Sequence, residues 1–344
     1  MIVPRKLGHS NMSAPPIGMG CWAIGGPFTM DGMSDGWGNV DDSQSIRAIH
    51  AGLDMGATLF DTSDAYGVGH SEEVIGQALK GRRDQVIIAT KFGYTYDRGS
   101  RALIGSDVSE TYVDWAWSQS AKRLGTDCID LYQIHVGDLS DQQADEAGEA
   151  LEALVEKGSI RAWGWSTGNV MAARRMLKFP NFVSVQQSLN VLNDSPDHIA
   201  LCEDGDLASL NNSPLAMGLL SGKFASGSQL PKDDVRAAGH SWVRDFVEGK
   251  PRPEVLGKIS AIRDLLESGG RTASQGALGW LLARSDKTFP IPGFKNKTQI
   301  RDNLGALEFG ALPESVMLEI DRVLADIGAM AATAFNNAQQ GDAT

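Results

Sequence analysis

Short apolar runs alternate with longer stretches of helical periodicity along most of the chain. The runs Ile17–Ile24, Thr58–Thr62, Val86–Lys91, Ile129–His135, Ala162–Ser166, Val183–Ser188, Leu207–Leu210 and Thr288–Ile291 have the length and composition of buried strands. Between them, residues 42–55 place Ile46, Ile49 and Leu53 near a 3.6-residue period. Residues 143–157 do the same with Ala147, Leu151, Leu154 and Val155. Ser71, before Glu72 and Glu73, predicts a helix cap followed by carboxylates at the positive end of the dipole. Gly56, Gly81, Gly125 and Gly158 each stand where a helix should stop and the next strand begin.

Eight strands alternating with about eight helices have two common solutions, a closed (β/α)₈ barrel or an open doubly wound sheet. The open dinucleotide-binding sheet calls for G-x-G-x-x-G straight after its first strand. Here that position reads Gly25-Gly26-Pro27-Phe28, with proline where the helix should open. An α/β fold of the TIM-barrel type is therefore predicted. No repeat, low-complexity tract or linker divides the chain, so one domain is expected over residues 1–344. Its core would span about residues 5–330, with a flexible polar tail at 331–344.

Composition narrows the function classes. With 42% hydrophobic and 22% charged residues, a chain of 344 residues can bury a large core without covalent staples. Cys21, Cys128 and Cys202 are odd in number and lack zinc or redox spacing, so they read as reduced thiols. A net charge of -12 argues against a nucleic-acid partner. No apolar run approaches the ~20 residues of a membrane helix, and the N-terminus lacks a signal-peptide core. A cytoplasmic protein acting on a small molecule, away from membranes, is the expectation. Nothing in the chain specifies an oligomeric state.

In a barrel of this kind, chemistry collects at the C-terminal strand ends. The second strand ends in Asp61, with Tyr66 in the loop beyond; the third ends in Lys91 and the fourth in His135. Taken singly, each has a bland reading as a loop anchor, a solvated charge or a structural histidine. Together they form a proton-handling set. A tyrosine titrates near ~10, and a neighbouring ammonium would lower that value while a carboxylate holds the ammonium in place. A histidine donor can orient a substrate oxygen that gains negative charge. No residue cluster has metal-ligand spacing, so no metal is expected.

At these residues the chain resembles the aldo-keto reductases. The segment Asp61-Thr62-Ser63-Asp64-Ala65-Tyr66-Gly67, followed by Gly69-His70-Ser71-Glu72-Glu73 and Gly76, is similar to the family's most specific signature. Ala89-Thr90-Lys91-Phe92-Gly93 and Asp130-Leu131-Tyr132-Gln133-Ile134-His135 are similar to its lysine and histidine strands. The resemblance runs from about Arg5 to Leu307. It implies a barrel whose bottom is closed by an N-terminal hairpin opening at Arg5-Lys6-Leu7-Gly8, with an extra C-terminal helix. It also implies a tetrad: Tyr66 as general acid/base, Lys91 lowering its pKa, Asp61 supporting Lys91, and His135 orienting the carbonyl. Trp22 would line the substrate mouth.

The implied cofactor is NADP(H). Ser213-Pro214-Leu215 and Gly218-Leu219-Leu220-Ser221-Gly222-Lys223 resemble the family loop that crosses the pyrophosphate. Gly293 ends the last strand, and Lys295, Lys297 and Arg301 form a local positive cluster in an acidic chain. By resemblance, Lys295 and Gln299 would meet the 2′-phosphate, with Asp302 and Asn303 near the adenine end; Asp302 replaces the usual glutamate. Gln186 fits the family's amide-binding glutamine. Two positions depart from the pattern: Ser166-Thr167 stands where Ser-Asn is usual, and Asn212 where an aromatic ring often stacks.

The reading that results is an NADP(H)-dependent oxidoreductase moving hydride between nicotinamide and an aldehyde, ketone, sugar or secondary alcohol. Two alternatives stand beside it. One is a non-catalytic NADP(H)-binding sensor or accessory subunit, since the family also contains potassium-channel beta subunits. The other is an aldolase using Lys91 as a Schiff base. The long loops Pro27–Asn39 and Phe224–Pro253 are expected to shape the pocket, and the substrate itself is left open.

Overall fold

Each of the eight apolar runs contributes a strand, and each strand lies parallel to its neighbours. The computed structural model describes the backbone of residues 3–341 and the side chains of residues 3–329. The barrel strands are β1 (Met19–Gly20), β2 (Leu59–Asp61), β3 (Ile87–Phe92), β4 (Ile129–Ile134), β5 (Ile160–Ser166), β6 (Phe182–Ser188), β7 (Ala208–Asn212) and β8 (Thr288–Pro290). They pair in sequence order, for example Gly20 with Asp61 and Gln133 with Lys91. Closure comes from β8 back to β1. The amides of Gly18 and Gly20 donate to the carbonyl oxygens of Pro290 and Pro292, each at 3.0 Å. A Cβ at Gly20 would sit 2.5 Å from the Ile291 carbonyl oxygen, so the seam requires glycine there.

The helices are α1 (Asp42–Asp54), α2 (His70–Ala78), α3 (Glu110–Leu124), α4 (Asp141–Glu156), α5 (Val170–Arg175), α6 (Pro196–Asp204), α7 (Pro253–Leu266), α8 (Ala273–Arg284), α9 (Lys297–Phe309) and α10 (Glu314–Gly341). Their apolar stripes pack on the outer faces of the strands in one large buried cluster. α7 and α10 stand outside the strand–helix alternation and pack on each other. The expected extra C-terminal helix is α10. The tail expected at 331–344 lies outside the residues whose side chains are described, and residues 342–344 lie outside the described backbone as well. Among the described residues, no helix is long and apolar enough to cross a membrane.

The bottom of the barrel is plugged. Arg5–Lys6 pairs antiparallel with Ser13–Ala14. Leu7, Met12 and Ala14 from this hairpin share a buried cluster with Leu59, Leu131, Val183, Leu210 and Phe289 from the strands. At the opposite, C-terminal end Thr29–Met30 and Met33–Ser34 join Tyr94–Asp97 and Ala102–Ser106 in a small sheet of loop hairpins.

Two local expectations are corrected. The run Ile17–Ile24 is strand over Met19–Gly20 alone, then turns as a single 3₁₀ turn at Trp22–Ile24, which aims the Trp22 ring into the mouth. Ser71 is not a cap. α2 starts at His70 behind Gly69, whose φ of 89° makes it the cap, and the buried Ser71 hydroxyl instead donates to the Cys21 carbonyl at 2.8 Å.

Candidate active site

Asp61 closes β2, Lys91 lies one residue from the end of β3, His135 follows β4, and Tyr66 sits in the β2–α2 loop. Parallel pairing of β2, β3 and β4 brings all four to one place. The Lys91 ammonium, fully buried, donates to Asp61 Oδ1 at 2.6 Å, the Thr62 carbonyl at 2.8 Å and the Tyr66 hydroxyl at 3.1 Å. All three of its protons are thus placed. Asp61 Oδ2 accepts from the side-chain amides of Gln186 (2.8 Å) and Gln133 (3.2 Å).

This geometry sets the protonation states. Burial alone would lower Lys91, but Asp61 and Tyr66 outweigh it and hold the lysine above its ordinary value. For Tyr66, burial is the largest influence and Lys91 opposes it; the hydroxyl is pushed up to about 12. The lowering expected from Lys91 is present but outweighed. Lys91 does pull the value down, yet desolvation wins, and Tyr66 is a neutral phenol at pH 7. Burial and the Lys91 charge push His135 well below the usual histidine range, leaving a neutral imidazole. Its Nδ1 is 2.9 Å from Ser63 Oγ, and its ring meets Tyr66 and Tyr94 edge-on at 5.7 and 5.1 Å.

Aromatic rings wall the mouth. Trp22 stacks on Tyr66 with centroids 5.9 Å apart and touches Trp37 (5.2 Å) and Trp242 (6.0 Å). Its indole N–H donates to the Asp35 carbonyl at 3.1 Å. Trp37 and Trp242 join Trp22 from the two long loops. Those loops are tied together. The Val235 amide donates to the Gly36 carbonyl at 2.8 Å, and His240 Nε2 lies 2.9 Å from the Ser34 carbonyl.

The Asp35 side chain is buried beside this wall, with Oδ1 3.5 Å from His240 Nε2 and without a hydrogen-bond partner among the described residues. Burial, reinforced by Asp31, pushes its carboxyl up to about 7. An acid whose folded-state pKa exceeds its unfolded ~3.9 opposes folding as pH rises from about 4 through 7. At ~1.4 kcal/mol per pH unit the ceiling is about 4 kcal/mol, and relaxation brings the expectation to about 1–3 kcal/mol. Asp35→Asn should therefore be more stable than wild type by that amount at pH 8 and nearly equal to it at pH 4. Urea unfolding at both pH values checks this; a gain that is larger at pH 4 would contradict it.

The residues expected around a dinucleotide divide into two groups. In the loop after β7, Ser213, Ala216 and Met217 have φ of 51°, 47° and 53°, followed by Gly218 at 93°. Three non-glycine residues held in the left-handed region mark stored strain of the kind found at ligand-binding loops. Asn190 Nδ2 donates to the Ser213 carbonyl at 3.0 Å, the Gly218 and Leu220 amides donate to the Leu215 carbonyl, and Ser221 Oγ donates to the Gly218 carbonyl. Pro214 carries the chain between Ser213 and Leu215, and Lys223 lies over the Phe224 ring at 5.1 Å. Past β8, Gly293 is exposed, Gln299 Oε1 accepts from the Lys295 amide at 2.7 Å, and the Lys295 ammonium reaches the Trp37 carbonyl. Asn303 Nδ2 donates to the Gly293 carbonyl at 3.2 Å. Ser166 ends β5, partly open.

Three of the residues expected around the dinucleotide have protein partners of their own. The Thr167 hydroxyl donates to the Gly137 carbonyl (2.7 Å) and accepts from the Asn169 amide (3.0 Å), so its one proton is engaged within its own loop. Gln186 faces the barrel interior, with its amide nitrogen on Asp61 and Gln133. Asp302 accepts from the Thr272 hydroxyl at 2.7 Å, at the cap of α8. Lys297 and Arg301 are exposed at the start of α9.

Arg236 escaped the sequence reading. It is buried, bonded to Asp234 through Nε (2.8 Å) and Nη2 (2.6 Å), and donates through Nη1 to the Met217 carbonyl at 2.9 Å. Its guanidinium lies 4.5 Å from the Trp37 ring centre. Lys223 and Lys295 both feel its charge, so three cations converge between the β7 loop and β8. No spacing in the chain announces this, because Arg236 reaches the group only by the folding of a long loop.

Comparison with known proteins agrees with this architecture. The aldo-keto reductase yakc [NADP(+)] of Schizosaccharomyces pombe is 32% identical over 317 residues, covering 90% of this chain and 88% of that protein. The aldo-keto reductase YhdN of Bacillus subtilis is 32% identical over 307 residues, covering 86% of each. The glycerol dehydrogenase AKR11B4 of Gluconobacter oxydans superposes with a TM-score of 0.79 at 26% identity, covering 94% of this chain and 95% of that one. The model of the aldo/keto reductase family matches residues 16–325, and the chain belongs to that family.

Proposed function

We propose that this protein is an NADP(H)-dependent oxidoreductase interconverting a carbonyl and an alcohol, with Tyr66 as its proton donor and acceptor. The observation that carries the reading is the buried Lys91 ammonium, 2.6 Å from Asp61 and 3.1 Å from the hydroxyl of Tyr66. Neutral Tyr66 is in the form needed to give a proton to an oxygen gaining charge. Lys91, held charged by Asp61, stabilises the tyrosinate left behind. His135 lines the same cleft as a neutral imidazole able to orient the carbonyl oxygen by a hydrogen bond. Trp22, Trp37 and Trp242 give the mouth beside Tyr66 an aromatic wall against which an apolar part of a substrate can pack.

The residues present fit a dinucleotide. The strained turn at Ser213–Gly218 holds its backbone in the left-handed region, and Lys223, Arg236 and Lys295 supply positive charge beside it in a protein of net charge -12. When bound, a nicotinamide dinucleotide supplies or takes up the hydride. The yakc relative is an NADP(+) aldo-keto reductase, which supports the phosphorylated form. The Schiff-base alternative fits poorly, because a Lys91 nitrogen with three placed protons has no lone pair to attack a ketone.

The test is cofactor choice, followed by turnover. Hydrogen bonds to a charged group contribute about 1.5–3 kcal/mol, which is roughly 10–150-fold in affinity. NADPH should therefore bind at least about tenfold more tightly than NADH. Lys295→Met should weaken NADPH while leaving NADH nearly unchanged, and added salt should do likewise. Tryptophan-fluorescence titration of both cofactors reads this directly, and a carbonyl and alcohol panel then reads turnover. Equal losses for both cofactors in the variant would show that Lys295 does not read the phosphate.

A further inference from the structure

Behind the reacting groups lies a second buried set that the reaction as described does not use. Ser63 Oγ stands 2.9 Å from His135 Nδ1 and 3.2 Å from Asp64 Oδ1, and it accepts the Ala65 amide at 3.1 Å. Ser63 and Asp64 are both fully buried. Asp64 Oδ2 has no hydrogen-bond partner among the described residues. The neighbouring cation, Arg123, is directed at Glu72 Oε2 (2.6 Å), the Tyr96 hydroxyl (3.0 Å) and Ser120 Oγ (3.3 Å). Glu72 Oε1 accepts from Thr90 at 2.5 Å. The charge of Arg123 is thus answered by Glu72, and Asp64 is left beside that carboxylate without a cation of its own.

A serine hydroxyl has one proton to give, and two arrangements satisfy it here. In the first, Asp64 is ionised, Ser63 donates to Asp64, and His135 donates from Nδ1 to Ser63. His135 Nε2 is then bare and can only accept. In the second, Asp64 carries a proton and donates to Ser63, Ser63 donates to Nδ1, and Nε2 of His135 bears the hydrogen. The first strands a buried carboxylate with one oxygen unanswered, at a cost of several kcal/mol. The second leaves no buried charge. Burial and the adjacent Glu72 push Asp64 well above the usual carboxylate range, against Arg123 and Ser63, in the same direction. His135 is neutral, so the choice of tautomer decides whether it can donate at all.

We propose that Ser63 and Asp64 are positioning residues that keep His135 in its Nε2–H form, through a chain in which protonated Asp64 donates to Ser63 and Ser63 donates to His135 Nδ1. No proton is lost or gained along the chain during turnover; its direction is fixed in the resting protein. The proposal rests on the reading of His135 as the donor to the substrate oxygen. It accounts for a serine and an aspartate that the tetrad leaves without a task, directly after Asp61 and Thr62.

The test pairs ¹⁵N spectra of the histidine rings with kinetics. The His135 resonances are assigned by their loss in His135→Gln. Wild-type protein should show the Nε2–H pattern for His135, and Ser63→Ala should show a mixture with Nδ1–H. Losing one oxyanion donor costs about 10²–10³-fold, so a partly populated donor should lower kcat for reduction by ~10–100-fold, with KM for NADPH unchanged. Ser63→Thr restores the hydroxyl and should restore both readouts. Asp64→Asn presents an amide N–H in place of the acid proton and should resemble wild type. An Nδ1–H pattern in wild type would overturn the proposal, as would Ser63→Ala keeping both pattern and rate. Asp64→Asn behaving like Ser63→Ala would overturn the protonated aspartate. A slow His135→Phe beside a fast Ser63→Ala leaves the donor role of His135 standing and removes the chain alone; a fast His135→Phe, which has no N–H to give, removes the donor role itself.

Discussion

Tyr66→Phe should lower turnover in carbonyl reduction by roughly 10²–10⁴-fold while cofactor affinity stays close to wild type. The substitution removes a single hydroxyl. The ring keeps its stack on Trp22 and its edge contact with His135, so the wall of the cleft is preserved. Lys91 keeps Asp61 and the Thr62 carbonyl as partners, so the ion pair survives. Only the proton donor is lost. A pH profile adds a directional check, because burial pushes Tyr66 up to about 12. Wild-type reduction uses the phenol and should be flat between about pH 6 and 9. Alcohol oxidation needs the rare tyrosinate, so its rate should climb with pH, approaching about tenfold per unit while chemistry limits turnover. Pre-steady-state hydride transfer, followed by nicotinamide absorbance, measures both. A Tyr66→Phe rate within a few-fold of wild type would remove Tyr66 from the chemistry.

What could be read from the chain, and what could not, follows from how far each feature depends on distant residues. Strand positions were legible because a strand buried on both faces is mostly apolar, and Ile87–Phe92 and Ile129–Ile134 are buried throughout with only Thr90, Lys91, Asp130 and Gln133 polar. Asp61, Lys91 and His135 were legible because parallel strands in register bring their C-terminal ends together. Ser71 misled because a hydroxyl before two glutamates is a good cap by local rules. Here Gly69, free to adopt a positive φ, takes that place, and the Cys21 carbonyl 50 residues away takes the hydroxyl. The direction of the Tyr66 shift was out of reach for the same reason. Lys91 nearby argues for a lower value, but the desolvation that overrides it is supplied by the whole cleft. Gln133 and Gln186 look like ordinary polar residues in apolar strands until the barrel closes and points both at Asp61 Oδ2. Arg236 and Asp35 belong to long loops with no periodicity, and such residues declare themselves only when the loops pair.

Lys91→Met should destabilise the protein by about 3–5 kcal/mol, a loss typical of breaking a buried ion pair from one side. Methionine can fill most of the space of the lysine stem, so the cavity left behind is small and the loss reports electrostatics. Asp61 would remain fully enclosed with its charge. The Gln133 and Gln186 amides still reach Oδ2, but Oδ1 loses its 2.6 Å partner. Surface pairs in this protein, such as Lys157 with Asp114 at 3.4 Å, offer the internal control. There Lys157→Met should cost no more than about 1 kcal/mol. The double variant Asp61→Asn/Lys91→Met separates charge from packing. Asparagine keeps the shape of Asp61 and leaves no stranded charge, so it should recover at least about half of the loss, although turnover stays low without the Lys91 ammonium beside Tyr66. Urea unfolding of the three variants without cofactor gives the comparison. If Lys91→Met costs no more than Lys157→Met, or if the double variant is less stable than Lys91→Met alone, Asp61 and Lys91 are not a charged pair whose partners depend on one another.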